Sequence, residues 1–287
     1  MNKNILLSIY KIIVDYCPPK LLPAVLKMTT VIRFAFLSQE KKSVLNKWSA
    51  LRDSKNEKTA IVFATGPSIK QQNIEVLAKY DSYSVSNFYL HEKLSDINPQ
   101  MHFFAPYHEP LIYTEFVDWW RDADKKLPKN TAICLSYDSK AMVEKENLFQ
   151  NRKIRYMFFD KSQYGKAPNP TKSLLSPQSS PLMVLPVLIW MGYSKIVLVG
   201  CDHNILKNYG GSVDNFYKNS EDPRSNATTG ANWRDGIVSH LTFAKNVFSQ
   251  YHHYLSYANK NGIKLINVSP DSWLDFISYV DYKEIEK

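Results

Sequence analysis

The sequence predicts an α/β protein with a mostly parallel, doubly wound sheet. Short apolar runs alternate with helical segments along most of the chain, which is typical of βαβ units. The clearest run is Lys195–Val199, followed by Gly200. Its last four residues are all apolar, as expected for a strand that is buried on both faces of a parallel sheet.

The helix before this strand is predicted to be buried as well. Ser180 can cap it, and Pro181 suits its first position because no N–H is needed there. Residues 182–191 are all apolar, and a helix that is apolar on every side lies in a core. The start of this helix can then meet Asp202 and His203, which follow the strand, as in a nucleotide or phosphate site.

Length and charge narrow the class of protein. A chain of 287 residues suits one large α/β domain, and a formal net charge of +9 favours an anionic partner. Basic residues are not interleaved with aromatic ones and no zinc-finger spacing occurs, so we expect no nucleic-acid partner. The 3 cysteines, an odd number without metal-ligand spacing, favour a reducing cytoplasmic setting.

Residues 1–47 differ in composition from the rest and form a predicted N-terminal unit. Two apolar stretches are punctuated by lysines and nearly lack acids. Neither reaches the roughly 18 uncharged residues of a spanning helix, and no cleavage site of a signal peptide follows the first. Amphipathic helices lying on a membrane surface fit this pattern. A helical hairpin packed on the core or on a second subunit is the alternative.

The second predicted unit is the α/β domain, residues 48–287. Its opening residues, 49–58, are polar and predict a linker. Residues 163–178 are predicted as a loop, and residues 204–234, too polar for a core, as a lid. Helices are predicted at 115–124, 180–193 and 237–258. Strands are predicted at 59–64, 82–86, 101–105, 131–136, 154–159, 195–199 and 263–268.

Two short motifs have the composition of a phosphate site. Thr65-Gly66-Pro67-Ser68 follows the first strand, where glycine permits close approach and amides can bind phosphate together with the Ser68 hydroxyl. It is neither a Walker loop nor a dinucleotide fingerprint, and an ordinary turn is the simpler reading. Ser179 and Ser180 add hydroxyls and amides at the start of the buried helix, where negative charge is stabilised.

The order of these motifs resembles that of a known group of enzymes. GPSI, SNFYL, SSP, MGYSKIVLVGCD and GIKLINVSPDSWLDF, spread over residues 58–276, are similar in order and spacing to bacterial sialyltransferases of glycosyltransferase family 42. They also resemble a related family that includes motility-associated sugar transferases and MptE-like pyrophosphokinases. The resemblance implies a Rossmann-like nucleotide-binding domain with a lid, a CMP-activated sugar donor, no metal or other cofactor, and inversion at the anomeric carbon.

The resemblance also implies a set of binding residues. The family has Asn where this chain has Thr65, and a tyrosine where it has Asn204; these departures bear on the identity of the donor. A phosphate-stabilising tyrosine would be Tyr209 or Tyr217. The other positions that match the nucleotide site are Gly66, Pro67, Ser68, Asn87, Ser179, Ser180 and Asp202.

Sugar transfer needs a group that takes the proton of the acceptor hydroxyl, and histidine suits this near neutral pH. His240 follows the predicted lid at the start of the last long helix, where the helix N-terminus disfavours imidazolium. His203, beside Asp202, is the rival candidate. A surface or capping role is the simpler alternative for either histidine.

The sequence therefore predicts a bacterial, metal-independent glycosyltransferase that is peripheral on the cytoplasmic side of the inner membrane. It would move a sialic-acid-like sugar from a CMP donor to a glycan or lipid-linked acceptor, as in lipopolysaccharide or capsule biosynthesis. The alternatives are an MptE-like, ATP-dependent pyrophosphokinase and a non-catalytic scaffold of a glycan-assembly complex. Homo-oligomerisation stays open.

Overall fold

A computed structural model describes most of the chain. The predicted membrane-associating stretches up to residue 33 fall almost entirely outside the described residues, and so do residues 225–234 of the predicted lid. The described residues are 34–108, 111–160, 167–224 and 236–285, together with Pro18, Leu21, Val25 and Met28.

Within these residues nine parallel strands form one sheet in the order β6-β5-β4-β3-β2-β1-β7-β8-β9. This confirms the predicted parallel α/β sheet and is compatible with a Rossmann-like fold. The strands are β1 Thr59–Phe63, β2 Asp81–Val85, β3 Met101–Phe103, β4 Ala132–Ser136, β5 Ile154–Asp160, β6 Ser173–Leu175, β7 Lys195–Val199, β8 Lys264–Asn267 and β9 Ser278–Tyr279.

Helices cover both faces of the sheet, so the central strands are buried on both sides. Along β7, Ile196 and Leu198 pack into one hydrophobic cluster, whereas Val197 and Val199 pack into the other. This is why the strand has no polar residue after Lys195. The helices are α1 Gln39–Asn46, α2 Leu94–Ile97, α3 Tyr113–Lys126, α4 Lys140–Lys145, α5 Pro181–Met191 and α6 Gly236–Lys260.

The buried helix α5 forms as its sequence predicts. It begins at Pro181 and ends before Gly192, whose φ of 88° is the left-handed conformation that glycine adopts at a helix end. Ten of its eleven residues are buried, including the internal Pro186. The helix lies in the same hydrophobic cluster as Ile196 and Leu198 of β7.

Two strands lie where the sequence pattern predicts none. β6, Ser173–Leu175, falls inside the predicted loop and pairs with Phe158–Asp160 of β5. β9, Ser278–Tyr279, extends the other edge beside β8. Both are too short for a two-residue periodicity to be recognised, so only pairing with a neighbouring strand defines them.

The residues before β1 belong to the packed structure. Leu45 of α1 and Trp48 are fully buried, and the Trp48 Nε1 atom donates to the carbonyl oxygen of Tyr156 in β5 at 2.7 Å. The Nε1 atom of Trp190 in α5 donates to the carbonyl oxygen of Trp48 at 3.0 Å. Residues 45–48, at the boundary between the two predicted units, therefore lie against the sheet.

The predicted last helix is confirmed as α6, but its first turns do not face the core. Its buried residues begin at Val247 and continue with Tyr251 and Ala258. Ile237 and Leu241, which the spacing places on the same inward face, are 42% and 54% exposed. None of the described helices is long and apolar enough to span a membrane.

Candidate functional site

A cavity of about 590 Å³ opens where the strand order reverses, between β1 and β7. In open parallel sheets, ligands bind at such a switch point, in the crevice outside the carboxyl ends of the strands. The volume lies within the range of small-molecule sites. We call it the switch-point cavity. Its walls are the segments that follow β1, β2, β7 and β8, the start of α5, residues 212–215 and Phe243.

The cavity collects most of the binding residues that the sequence indicates. The two predicted phosphate-binding motifs, far apart in the chain, share this one hollow. The predicted residues that line it are Thr65, Gly66, Pro67, Ser68, Ser179, Ser180, Asp202 and His203.

Gly66 is required by close packing between the loops that follow β1 and β7. A Cβ atom on Gly66 would lie 1.6 Å from Oδ2 of Asp202 and 2.5 Å from the carbonyl oxygen of Gly200. The Gly66 amide donates to that same carbonyl at 2.9 Å. The glycine therefore lets two segments of the protein approach each other, in addition to any role in contacting a ligand.

Ser68 and Asp202 form the side-chain link between the same two loops. The Ser68 hydroxyl donates to Oδ2 of Asp202 at 3.0 Å, and the two residues are only 4% and 5% exposed. Burial raises the pKa of Asp202 to about 6, although hydrogen bonds from Ser68 oppose this rise. A hydroxyl has one proton to donate. In the structure Asp202 receives this proton, so donation by the Ser68 hydroxyl to phosphate stays a prediction and would require the hydroxyl to exchange partners.

The start of α5 offers fewer donors than the sequence suggests. Pro181 has no N–H, and the amides of Leu182 and Met183 donate to the carbonyls of Ser179 and Ser180, each at 3.0 Å. The predicted cap is absent, since the Ser180 side chain makes no capping hydrogen bond to the helix. The donors that this helix start can direct at a ligand are therefore those of Ser179 and Ser180.

Gln250 of α6 holds the segment before α5 in place, which sequence reasoning missed. Its Oε1 atom accepts from the Gln178 amide at 2.8 Å, and its Nε2 atom donates to the carbonyl oxygen of Ser176 at 3.3 Å. Gln250 is 3% exposed. A glutamine among the apolar residues of a helix face is the only sequence signal of such a contact.

Tyr251, the next residue of α6, is fully buried and contacts His203 of the cavity lining. Its hydroxyl lies 2.9 Å from Nε2 of His203, and it also interacts with the Cys201 thiol. Burial lowers the pKa of His203 to about 4 and raises that of Tyr251 well above its ordinary value. At neutral pH the imidazole is therefore uncharged, and its role as donor or acceptor toward Tyr251 depends on its tautomer.

Three residues at the cavity have backbone conformations that are unusual for side-chain-bearing residues. Ser86, His203 and Asp271 have φ values of 53°, 49° and 58°, in the left-handed region. Such conformations cost free energy and tend to occur where a site needs them. Their concentration at one cavity supports its assignment as a functional site.

The fixed charges in the cavity are mostly negative. Among the described lining residues, Lys207 is the only lysine or arginine, whereas Asp202, Asp214 and Asp271 contribute carboxylates. Serine, threonine and asparagine side chains make up most of the other polar groups. The site therefore offers hydrogen bonds to a ligand more than it offers compensation for several negative charges.

Asn87 does not line the cavity. Its Nδ2 atom donates to Oδ2 of Asp222 at 2.6 Å, and its Oδ1 atom accepts from Nε1 of Trp119 at 2.5 Å. Arg224 binds the same carboxylate through Nε and an NH2 group, and its guanidinium lies 3.7 Å from the Trp119 ring centre. The Asn87 amide is used to anchor residues 222–224 to the body of the protein.

The tyrosines and the second histidine of the predicted site also lie outside the cavity lining. Tyr217 lines a neighbouring hollow, and burial raises its pKa to about 12. Tyr209 is 43% exposed, and its ring centre lies 6.0 Å from that of His240 in the first turns of α6. Of the two predicted bases, only His203 borders the switch-point cavity.

No protein-family model matches this chain, and no curated protein matches it either. The resemblance to family 42 sialyltransferases therefore stays a hypothesis, and the chemistry has to be inferred from the side chains of the cavity.

Proposed function

We propose that this chain is a glycosyltransferase that binds a nucleoside-monophosphate sugar, of the CMP-nonulosonic acid type, in the switch-point cavity. The observation that carries the proposal is the meeting of the loop after β1, the loop after β7 and the start of α5 around one hollow. This is where nucleotides bind in doubly wound sheets. The Gly66 region and the serines before α5 would surround the phosphate.

The charge of the cavity favours a donor with one phosphate group. Among the described lining residues, the one positive side chain, Lys207, is outnumbered by three carboxylates. A triphosphate would add several negative charges to this surface, at a high cost unless cations accompanied it. A monophosphate ester carries less charge, and hydrogen bonds from Thr65, Ser179 and Ser180 would help to hold it.

Within this proposal, His203 is the base that takes the proton of the acceptor hydroxyl. It borders the cavity and is neutral at pH 7, so it has a nitrogen able to accept a proton. A pKa of about 4 makes it a weak base, but the negative charge of a bound donor would raise that value. His240 remains the rival because it lies close to Tyr209 on the neighbouring surface.

The acceptor in this proposal is a glycan or a lipid-linked glycan. The basic, apolar composition of residues 1–47 supports attachment of the protein to the cytoplasmic face of a membrane. In the same proposal, residues 204–234 act as the lid over the donor.

One observation favours a second function, that of an ATP-dependent pyrophosphokinase. The carboxylates of Asp202, Asp214 and Asp271 all line the cavity, and carboxylates are the side chains that Mg²⁺ takes when it accompanies nucleoside triphosphates. In that case ATP would bind only together with magnesium.

Thermal unfolding with CMP, CDP, UDP, GDP and ATP, each with magnesium or with EDTA, separates the two functions. A ligand at about 100 times its Kd adds about 2.7 kcal/mol to the stability of the folded state. We expect CMP to raise the Tm equally in EDTA, and Ser180→Ala to weaken this effect. Ser256→Ala, an exposed serine of α6, is the control. A rise in Tm that occurs only with ATP and magnesium together would support the pyrophosphokinase. If no nucleotide raised the Tm, both functions would be contradicted.

Replacing each histidine in turn tests which of the two acts as the base. His203→Ala should abolish sugar transfer while CMP still raises the Tm, although by less because the contact to Tyr251 is lost, and His240→Ala should retain transfer. The reverse pattern would move the base to His240 without affecting the assignment of the cavity.

A further inference from the structure

A second hollow lies beside the switch-point cavity and has a volume of about 430 Å³. We call it the lateral hollow. Its walls are residues 69, 70 and 72–75, which follow β1, residues 90–93, which follow β2, and three residues of the predicted lid, Phe216, Tyr217 and Glu221. The volume is within the range of small-molecule sites, and the function proposed above makes no use of this space.

The lateral hollow and the switch-point cavity share two of their walls. After β1, Ser68 lines the cavity, whereas the next residue, Ile69, lines the hollow. In the lid, residues 212–215 line the cavity, whereas Phe216 lines the hollow. The Phe216 amide donates to the carbonyl oxygen of Thr65 at 3.2 Å, which joins the two walls. A ligand made of several linked units could therefore occupy both spaces.

Three rings line the lateral hollow, those of His91, Phe216 and Tyr217. The ring centres of His91 and Phe216 lie 5.1 Å apart, and those of Phe216 and Tyr217 lie 5.2 Å apart. Burial lowers the pKa of His91, so its ring is uncharged at neutral pH. Its Nδ1 atom accepts from the Lys93 amide at 3.1 Å, which places the proton on Nε2. The rings thus offer apolar surface together with an N–H donor.

The charges of the lateral hollow favour a neutral ligand. Lys93 pairs with Glu75. Among the described lining residues this leaves one lysine, Lys70, against the two carboxylates of Glu92 and Glu221. An anionic ligand would meet more negative than positive charge, and most of the lining side chains are too polar for a lipid chain. Hydroxyl groups suit such a lining, because they donate to carboxylates and accept from lysine.

We propose that the lateral hollow binds one neutral sugar unit of the acceptor glycan, away from the hydroxyl that reacts. A sugar combines apolar C–H surfaces, which pack on aromatic rings, with hydroxyl groups, which bond to carboxylates and amides. The hollow offers both kinds of partner. This inference rests on the proposed function, because it takes the reacting end of the same glycan to lie in the switch-point cavity. Binding a remote unit contributes free energy to the transfer of the sugar.

The test passes the full chain over an array of neutral oligosaccharides built from hexose and N-acetylhexosamine units, with sulfated oligosaccharides and spermidine printed beside them. Asn73→Trp fills the hollow from an exposed lining residue, and Asn259→Trp, on the exposed side of α6 near its end, is the matched control. Glu92→Gln removes a carboxylate of the lining. Its control is Glu57→Gln, since Glu57 is equally exposed but lies just before β1.

We expect the unaltered chain to bind neutral oligosaccharides, Asn73→Trp to abolish this binding and Asn259→Trp to retain it. Glu92→Gln should weaken the binding by about tenfold, because a hydrogen bond from a sugar hydroxyl to a charged group is lost. Glu57→Gln should leave it unchanged. CMP should raise the Tm of all four variants as it does that of the unaltered chain, because none of these residues lines the switch-point cavity.

Three results would overturn the inference. These are a lack of binding to every neutral oligosaccharide, binding that persists in Asn73→Trp, and stronger binding to the sulfated oligosaccharides or to spermidine, which would assign the hollow to a charged ligand. The CMP response keeps this test separate from that of the proposed function. Oligosaccharide binding that Asn73→Trp abolishes, in a chain whose Tm no nucleotide raises, would support the sugar site and contradict the glycosyltransferase.

Discussion

The Nε2 atom of His203 lies 2.9 Å from the hydroxyl oxygen of the fully buried Tyr251. This contact joins the loop after β7 to α6. One phenol group therefore connects two of the segments around the cavity.

Tyr251→Phe should destabilise the fold and weaken nucleotide binding. Removing the hydroxyl leaves a partly buried imidazole nitrogen without its partner, which costs about 1–3 kcal/mol. Urea unfolding measures this loss, and the CMP-induced rise in Tm should shrink. Tyr83→Phe deletes another buried hydroxyl, one that bonds to Tyr193 at 2.6 Å; it should reduce stability but leave the CMP effect intact. Equal CMP effects in both variants would contradict a role for Tyr251 in shaping the site.

Gly66→Ala should disrupt the loop after β1. Its Cβ atom would overlap Oδ2 of Asp202, 1.6 Å away, so the loops after β1 and β7 must separate. We expect a loss of about 3 kcal/mol or more and no CMP response in any folded fraction. In Gly211→Ala the new Cβ has only the Asn208 carbonyl oxygen near it, at 3.3 Å, so stability should change little. Native stability in Gly66→Ala would mean that the two loops do not approach this closely.

His102 should make the protein less stable in acid. It is fully buried between Ser84 and the carbonyl of Ser86, and burial, with a smaller contribution from Arg152, lowers its pKa to about 3. An unfolded histidine titrates near 6.5, so below that pH the unfolded chain binds a proton that the folded one does not. The His102 contribution is therefore complete above pH 6.5 and is lost as the pH falls toward 3.

For one such histidine, the loss between pH 7 and pH 5 is about 2 kcal/mol. His102→Gln should remove this part of the pH dependence and lower stability at pH 7. Ser84→Ala breaks the contact of 2.7 Å to the His102 Nδ1 atom but keeps the imidazole, so it should retain the dependence. Asp202 acts in the opposite direction, because its raised pKa favours the folded state as the pH falls from 6 toward 3.8. The comparison of variants therefore measures His102 alone.

Arg224→Lys should loosen the anchor of residues 222–224. Lysine can replace neither the two hydrogen bonds to Asp222 nor the stacking on the Trp119 ring. We expect a loss of about 2 kcal/mol, because the Asp222 side chain is 2% exposed. Arg121→Lys is the matched control: that side chain is 47% exposed and pairs with Asp118 and Glu146, so its loss should be below about 1 kcal/mol. Similar losses in the two variants would contradict the anchor.

The sequence predicted the parts of the fold that follow from local patterns. The apolar run of β7, the helix start at Pro181 and the long α6 needed only hydrophobic period, capping and turn residues. The position of the switch-point cavity could be predicted too, because parallel strands present their carboxyl ends at the same edge of the sheet. By contrast, the strand order itself, which brings β1 beside β7, required the structure.

The contacts that shape the site could not be predicted. Ser68 has the composition of a phosphate ligand, but its hydroxyl is taken by a carboxylate that lies far away in sequence. Asn87 is likewise satisfied by Asp222 and Trp119. Gln250 reaches across from α6. Each contact depends on how elements pack, and no local period records which side chain a polar residue meets.

The indole groups of Trp48 and Trp190 have a practical consequence for dividing this chain. Each donates to a backbone carbonyl, that of Tyr156 and that of Trp48 respectively, so the residues around position 48 join the middle of the chain to α5. A shortened protein intended to keep the sheet should start before Gln39. Cutting at residue 47 would remove Leu45 with α1 and expose the indole of Trp48, whereas removing residues 1–33 spares both.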